Sequence, residues 1–304
     1  MQFNQDHVKV LHLESTTVCN AACPQCARED ASLYDDSLHR AELTVEKIKQ
    51  LFTVPFIEKL EKVFMCGDFG DPAANHATLD IFEYFRGINP TITLGMNTNG
   101  SIQNTQWWSK LGQLFNNPLD YCVFSIDGLK DTNHIYRVNT RFEKIIENAS
   151  AFIQNGGKAH WDMLVFAHNE HQVESARDLA RELGFTHFRS KVSKRFVSKP
   201  VVGLEPPNSY TLPNVSEPTC VDCFILKEQS MYVAATGETF PCCWLGNYVF
   251  AKDNSLDQLL ENNFEKLFST MDTAPHPVCL NTCGVKDNSN SSFENQWVLN
   301  EAFI

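Results

Sequence analysis

The segment TTVCNAACPQCARED, residues 16–30, places Cys19, Cys23 and Cys26 within eight residues. Thiolates are soft donors, and three of them at spacings of three and then two residues read as a metal site. A tetrahedral zinc ion takes four ligands, and His12 or His39 would supply the fourth. A cubane iron–sulfur cluster is normally held by four cysteines, so three leave one iron without a protein ligand. Such an iron is a Lewis-acidic position that a small molecule can occupy, by the logic of the open position of a catalytic zinc.

A second group comprises Cys220, Cys223, Cys242, Cys243, Cys279 and Cys283, in the local texts CVDCF, GETFPCC and CLNTC. In isolation these CxxC-like pairs read as a zinc knuckle. Cys66 and Cys122 sit in apolar runs and read as buried small hydrophobes. The opening MQFNQDHVKVLHLE has no basic patch followed by an apolar core, so it does not read as a signal peptide. Eleven cysteines without a secretory signal point to metal or redox chemistry rather than a disulfide framework, and to a cytoplasmic protein. No run approaches eighteen apolar residues, which argues against a membrane partner. The net charge of −12, from 37 acidic and 25 basic residues, works against binding a phosphate backbone, and a nucleic-acid partner is not expected. The one short basic run is Ser190–Arg195 (SKVSKR) with Lys199, which reads as a solvated edge or a local patch.

These residues need elements to place them. Short apolar runs alternate with longer amphipathic ones. Strands are expected at 8–14, 62–66, 91–97, 120–126, 159–167 and 186–193. Helices are expected at 43–52 with Thr44 as N-cap, and at 76–86, 105–115, 141–156 and 170–184. Six strands alternating with helices predict an α/β fold, a parallel sheet in an open or partial (β/α)6 TIM-like barrel. The loops after the strands then carry the chemistry, and the three-cysteine segment follows the first strand. The expected division begins with a barrel over 1–193 and a linker over 194–219, which holds five prolines from Pro200 to Pro218. A small cysteine-rich auxiliary-cluster domain over 220–284 and a tail over 285–304 complete it. Within the cysteine-rich part, YVAATGETFPC reads as a hairpin turning at Gly237, and 255–271 as a helix. The closing FENQWVLNEAFI has no clear element.

The CxxxCxxC of Cys19, Cys23 and Cys26 after a first barrel strand resembles the signature of the radical S-adenosylmethionine (radical SAM) enzymes. Gln25 departs from the aromatic residue usual before the third cysteine. MCGDFGDP, residues 65–72, is similar to the family's glycine-rich segment, with Gly67, Gly70, Asp71 and Pro72 expected at the cofactor's methionine amino group. NTNG (97–100) resembles a family TNG segment, and SIDG (125–128) follows strand four as a comparable serine and aspartate do. The resemblance thus implies cofactor contacts from Asn97, Asn99, Ser125, Asp127 and Asn169, and a [4Fe-4S] cluster whose open iron chelates S-adenosylmethionine. Read alone, each of these is an ordinary turn or helix cap. Five of them fall after five successive strands.

GETFPC resembles the auxiliary-cluster extensions called SPASM and twitch. Two fully ligated extra cubanes would need about eight cysteines, and one needs about four. The expectation is one auxiliary [4Fe-4S] cluster on Cys223, Cys242, Cys279 and Cys283. Cys220 is an alternative to Cys223, and Cys243 is too close to Cys242 for both to serve one cubane. The resemblance implies an iron–sulfur oxidoreductase that cleaves S-adenosylmethionine to a 5′-deoxyadenosyl radical and oxidises or cross-links a substrate. It also implies a low-potential donor such as flavodoxin or ferredoxin. Peptide maturation is the leading substrate reading. A small molecule, nucleotide or nucleic acid is the alternative, and a zinc-binding scaffold without radical chemistry is the alternative from another class. Asp127, His134, Tyr136 and Arg137 follow strand four and are candidates to face the pocket.

Overall fold

Period-two alternation separates two faces along the strands of the computed structural model, which describes residues 7–29, 40–193, 195–209, 220–250, 270–271, 273–285 and 297–303. In β5 (Ala159–Val165), Ala159, Trp161, Met163 and Val165 are buried, while His160, Asp162 and Leu164 are half-buried. In β6 (His187–Val192), Phe188, Ser190 and Val192 are buried, and His187, Arg189 and Lys191 take the other face. The apolar face packs against helices, with Trp161, Met163 and Phe188 in one core with Ile145, Phe152 and Ala176. The polar face is left to the concave side of the sheet.

The remaining barrel strands are β1 (Val10–Leu13), β2 (Lys62–Met65), β3 (Thr93–Thr98) and β4 (Tyr121–Ser125). All six pair in sequence order and in parallel, β1 to β2 through β5 to β6. The intervening helices are α1 (Val45–Leu51), α2 (Val54–Glu58), α3 (Thr78–Ile88), α4 (Thr105–Leu114), the short α5 (Asn133–Tyr136), α6 (Phe142–Gln154) and α7 (Val173–Glu182). Thr44 caps α1 by accepting from the Lys47 amide, and Asn104 caps α4 by accepting from Trp107. The fold is the partial TIM-type barrel that the strand–helix alternation predicts.

An open barrel leaves two edges of unpaired backbone groups, which soluble proteins must cover. Here the C-terminal third covers both. The short turn α8 (Arg195–Ser198) follows β6, and later β7 (Cys220–Val221) and α9 (Phe224–Glu228) lead into β8 (Ser230–Val233). β8 joins the sheet beside β1, in parallel, with Val10 opposite Ser230 and Leu13 opposite Val233. β9 (Thr239–Phe240) returns antiparallel to β8, and Gly237 turns the hairpin at φ +90°, where a Cβ would be strained. At the far edge β11 (Trp297–Ala302) pairs antiparallel with β6, so the closing residues do have an element. The segment from 220 is therefore partly a sheet edge, not wholly a body apart from the barrel. Its remainder holds α10 (Cys243–Phe250), α11 (Pro277–Cys283) and β10 (Gly284–Val285), which clasps β7. The helix expected over 255–271, except its last two residues, and the candidate ligand His39 lie outside the described residues. Among the described residues no helix is long and apolar enough to cross a membrane.

Candidate cluster and cofactor site

β1 runs straight into the cysteine loop through Glu14, Ser15, Thr16 and Thr17, all buried. The loop turns tightly, with the Cys26 amide donating to the Cys23 carbonyl at 2.8 Å and the Ala21 amide to Cys19 Sγ at 3.4 Å. Other loops supply donors to the sulfurs. Asn99 Nδ2 lies 3.6 Å from Cys19 Sγ, and Arg137 Nη1 lies 3.7 Å from Cys23 Sγ. Cys26 Sγ faces the Asp68 carbonyl at 3.8 Å. Ala21, Cys23, Tyr136, Phe166 and Leu204 form a buried apolar cage around the loop.

Burial pushes the Cys19 thiol up to about 12, and the charges of Asp71, Cys23 and Cys26 add to it. Cys23 is pushed up to about 11 by burial, with Arg137 opposing. The mutual effect places the three sulfurs within electrostatic reach of one another. Buried thiolates at such spacing call for bound positive charge, which a metal centre supplies. Among the described residues no three His, Cys, Asp or Glu side chains close on a single-ion site. A cubane takes its thiolates at separate iron corners, so the looser gathering of Cys19, Cys23 and Cys26 suits it.

The glycines of 65–72 are required by close packing. A Cβ on Gly70 would stand 1.8 Å from the Thr16 carbonyl oxygen, and one on Gly67 would stand 1.9 Å from the Gly70 carbonyl oxygen. Backbone-to-backbone contact this tight tolerates only glycine. Asp71 N donates to Val18 O at 2.9 Å, joining the two loops directly. Glu14 Oε1 accepts from Phe69 N at 2.7 Å and Gly70 N at 3.1 Å, and Glu14 also accepts from the Tyr232 hydroxyl on β8. Burial, reinforced by the Asp68 charge, holds the Glu14 carboxyl up at about 8.

The other expected cofactor residues gather at this same end of the sheet. Asp71 is buried, and its carboxylate accepts from Ala73 N, Thr98 Oγ1 and Asn99 N at 2.7–2.9 Å, tying the glycine segment to β3. Pro72 is buried at the start of the turn that follows. Asn99 also bonds Asn20 and Ser101. Asn97 and Ser125 are half-buried in β3 and β4. Asp127 accepts from Leu164 N at 2.5 Å and pairs with Arg137 at 2.6 Å. Asn169 spans from Asp127 O at 3.1 Å to Leu164 O at 2.9 Å and accepts from Phe166 N. The Asp71 and Asn169 side chains thus spend their bonding on the loops themselves and shape the backbone of the site. Arg137 ties Asp127 to Cys23, a link between strand-four and strand-one loops that sequence order alone does not reveal. Arg137 was among the candidates after strand four, whereas Glu14 is a residue that sequence reasoning missed; a charged side chain ending an apolar strand was its only signal.

The second cysteine group is also gathered. Cys223, Cys242, Cys279 and Cys283 line one pocket of about 370 Å³ including its mouth, between α9, α10 and α11 and walled by Ile225, Leu245 and Val278. Burial raises Cys242, with Cys279, Cys223 and Cys283 adding, and pushes Cys279 up to about 11. Cys220 is exposed and sits outside the pocket lining, beside the Val285 carbonyl. Cys243 is half-buried and faces Asp68, Cys66 and Glu14, on the barrel side. Cys122 is fully buried in the core.

A six-stranded partial barrel with three gathered cysteines and a glycine-lined backbone cradle after its first two strands defines a class of cluster-dependent enzyme. The model of the radical SAM superfamily matches residues 13–180, more than half the chain, and the protein belongs to that superfamily. It is accordingly a radical SAM enzyme, and the family implies a [4Fe-4S] cluster and S-adenosylmethionine; a zinc scaffold without radical chemistry is set aside. Among solved structures, the fold is similar to Streptococcus suis SuiB bound to precursor peptide SuiA, at 12% identity and TM-score 0.61 over 93% of this chain and 73% of that one. SuiB bound to S-adenosylmethionine is similar at 13% identity and TM-score 0.59, over 88% and 68% of the two chains. Native anSMEcpe with bound AdoMet and Cp18Cys peptide is similar at 12% identity and TM-score 0.55, over 92% and 91%. No curated protein sequence matches this chain.

Proposed function

We propose that this radical SAM enzyme is an oxidoreductase with one auxiliary [4Fe-4S] cluster of the twitch type, and that its substrate is a peptide. The observation that carries the reading is the pocket where Cys223, Cys242, Cys279 and Cys283 meet while Cys220 and Cys243 stand aside. The peptide assignment is supported by the fold's likeness to SuiB bound to a precursor peptide and to anSMEcpe bound to a peptide.

In this reading Cys19, Cys23 and Cys26 hold the cluster that binds S-adenosylmethionine. When bound, that pair supplies a 5′-deoxyadenosyl radical able to take a hydrogen atom from an unactivated carbon. The protein's part is orientation. Gly67 and Gly70 let the 65–72 loop pack on itself and on the Thr16 backbone beside the cofactor, Asp71 and Asn169 fix the loops, and Asn97, Asn99, Ser125 and Asp127 border the same space. The apolar cage of Tyr136, Phe166 and Leu204 excludes water that would quench a radical. Cys223, Cys242, Cys279 and Cys283 would hold the second cluster, which would supply an acceptor for an electron from the substrate radical. A flavodoxin- or ferredoxin-like donor in the cytoplasm would supply the reducing electron.

The test is metal analysis of anaerobically reconstituted protein together with cofactor cleavage under reduction. About eight irons per chain are expected, four for each cubane. Cys26→Ala should abolish cleavage while the barrel stays folded. Near four irons, or tightly bound zinc in the second pocket, would remove the auxiliary cluster. Retained cleavage in Cys26→Ala would remove the catalytic assignment of the first loop.

A further inference from the structure

Gln25 and the basic run ending in Arg195 and Lys199 are far apart in sequence and meet at the cysteine loop. The Gln25 side chain is fully buried, at 0% exposure. Its Oε1 accepts from Ser193 Oγ at 2.7 Å, and its Nε2 donates to the Lys199 carbonyl at 3.3 Å. The cationic side chains return the contact. Arg195 Nη1 donates to the Gln25 carbonyl at 2.8 Å, and Lys199 Nζ donates to the Cys26 carbonyl at 2.6 Å. Ser193 Oγ accepts from Arg195 N at 3.2 Å, and Lys199 N donates to Arg195 O at 2.7 Å, so Ser193 and the short turn 195–199 are seated together on the loop. The aromatic residue usual in the family has no amide to make these bonds.

The charges matter as much as the bonds. The chain carries a net charge of −12, and Asp68, Asp71 and Asp127 lie near the three cysteines. Arg137 is already committed to Asp127. Arg195 and Lys199 bring two further positive charges to the backbone of Gln25 and Cys26. Reducing a thiolate-held cluster adds a negative charge, and cations within a few ångströms in a half-buried setting favour that state. Net charge and hydrogen bonding around the ligands are among the protein's means of setting cluster potential.

We propose that Gln25, Ser193, Arg195 and Lys199 form a cationic clasp that pre-shapes the Cys23–Cys26 turn and raises the reduction potential of the cluster held there. The inference rests on the cluster assignment of Cys19, Cys23 and Cys26. It makes these four positioning and tuning residues, acting through the cysteine turn.

The test uses the full-length chain carrying Cys279→Ala and Cys283→Ala, so that the first site alone gives the spectroscopic signal. Potentiometric titration of the reduced-cluster signal is compared across variants. Lys199→Met and, separately, Arg195→Gln should each lower the reduced-to-oxidised ratio at fixed potential on the order of tenfold, about 59 mV for one electron. Lys199→Arg should restore the wild-type value. Gln25→Leu removes the amide bonds without changing charge, so it should move the potential less than Lys199→Met. In metal-free protein, amide exchange across residues 22–28 should quicken on the order of tenfold in Gln25→Leu. Unchanged potentials in both Lys199→Met and Arg195→Gln at full iron content overturn the tuning role. Unchanged exchange in Gln25→Leu overturns the clasp. A wild-type first site that binds no cluster sinks the reading on which the potential rests, while the metal-free exchange still decides whether the clasp exists.

Discussion

Arg137→Met is the sharpest perturbation of the site, because it breaks a buried ion pair and a sulfur contact together. The Asp127 side chain is 0% exposed and that of Arg137 is 16% exposed, with Nε and Oδ2 2.6 Å apart. Without the guanidinium, Asp127 keeps the Leu164 amide as its remaining charge-stabilising donor. Removing one partner of a buried pair typically costs about 3–5 kcal/mol, since the other is left as an uncompensated charge. At about 2 °C per kcal/mol for a large domain, melting should fall by about 6 °C or more. The assay is thermal melting of metal-free, full-length protein, which separates this effect from cluster loss. The double variant Arg137→Met with Asp127→Asn removes both charges and should lose less than the single variant. The sign with pH follows from Asp127, whose carboxyl is raised by burial while Arg137 pulls it down. Losing Arg137 raises it further. A carboxyl raised in the folded state favours folding in acid, and stability falls as pH climbs from the ordinary value of 3.8 through the folded one. The deficit of Arg137→Met should therefore grow toward neutral pH and shrink in acid. A loss below about 1 kcal/mol, or a double variant no better than the single, would refute the argument.

Gly70→Ala forces a Cβ to 1.8 Å from the Thr16 carbonyl and should cost at least about 2 kcal/mol and most cofactor cleavage, whereas Gly87→Ala, with nothing within 4 Å, should be neutral or stabilising by melting. Cys279→Ala with Cys283→Ala should halve the iron content by elemental analysis and leave cofactor cleavage intact while product formation stops; full turnover of substrate in that variant would remove the auxiliary centre from the mechanism. Glu14 is held up at about 8, so the native state keeps its proton where the unfolded chain has lost it, and wild-type stability should fall from about pH 4.5 to about pH 8. Glu14→Gln deletes that titration, and its melting temperature should vary less across the same window; an unchanged slope would show that Glu14 ionises freely in the fold.

The strand–helix alternation made the barrel legible because period 2 and period 3.6 are local properties of the chain. Thr44 as an N-cap, the six strands within about two residues of their bounds, and the hairpin at Gly237 all follow from short-range chemistry. The spacing of Cys19, Cys23 and Cys26 was legible for the same reason, as three thiols in one loop. What the sequence did not determine are contacts between residues far apart along the chain. β8 beside β1 and β11 beside β6 depend on which edges an open barrel leaves exposed, a property of the assembled sheet. The placing of Cys223, and not Cys220, in the pocket lining, and the turning of Cys243 toward Glu14 and Cys66, depend on how α9, α10 and α11 pack. Asp71 looked like a turn residue or a cofactor contact, and only the fold shows its carboxylate bonded to Thr98 and Asn99. Arg137 meeting Cys23 across 114 positions, and Lys199 meeting Cys26 across 173, are decided by tertiary structure alone. The types and spacing of residues within a loop are written in the chain, whereas the partners that set their charge and hold their shape arrive from other strands once the sheet has closed around them.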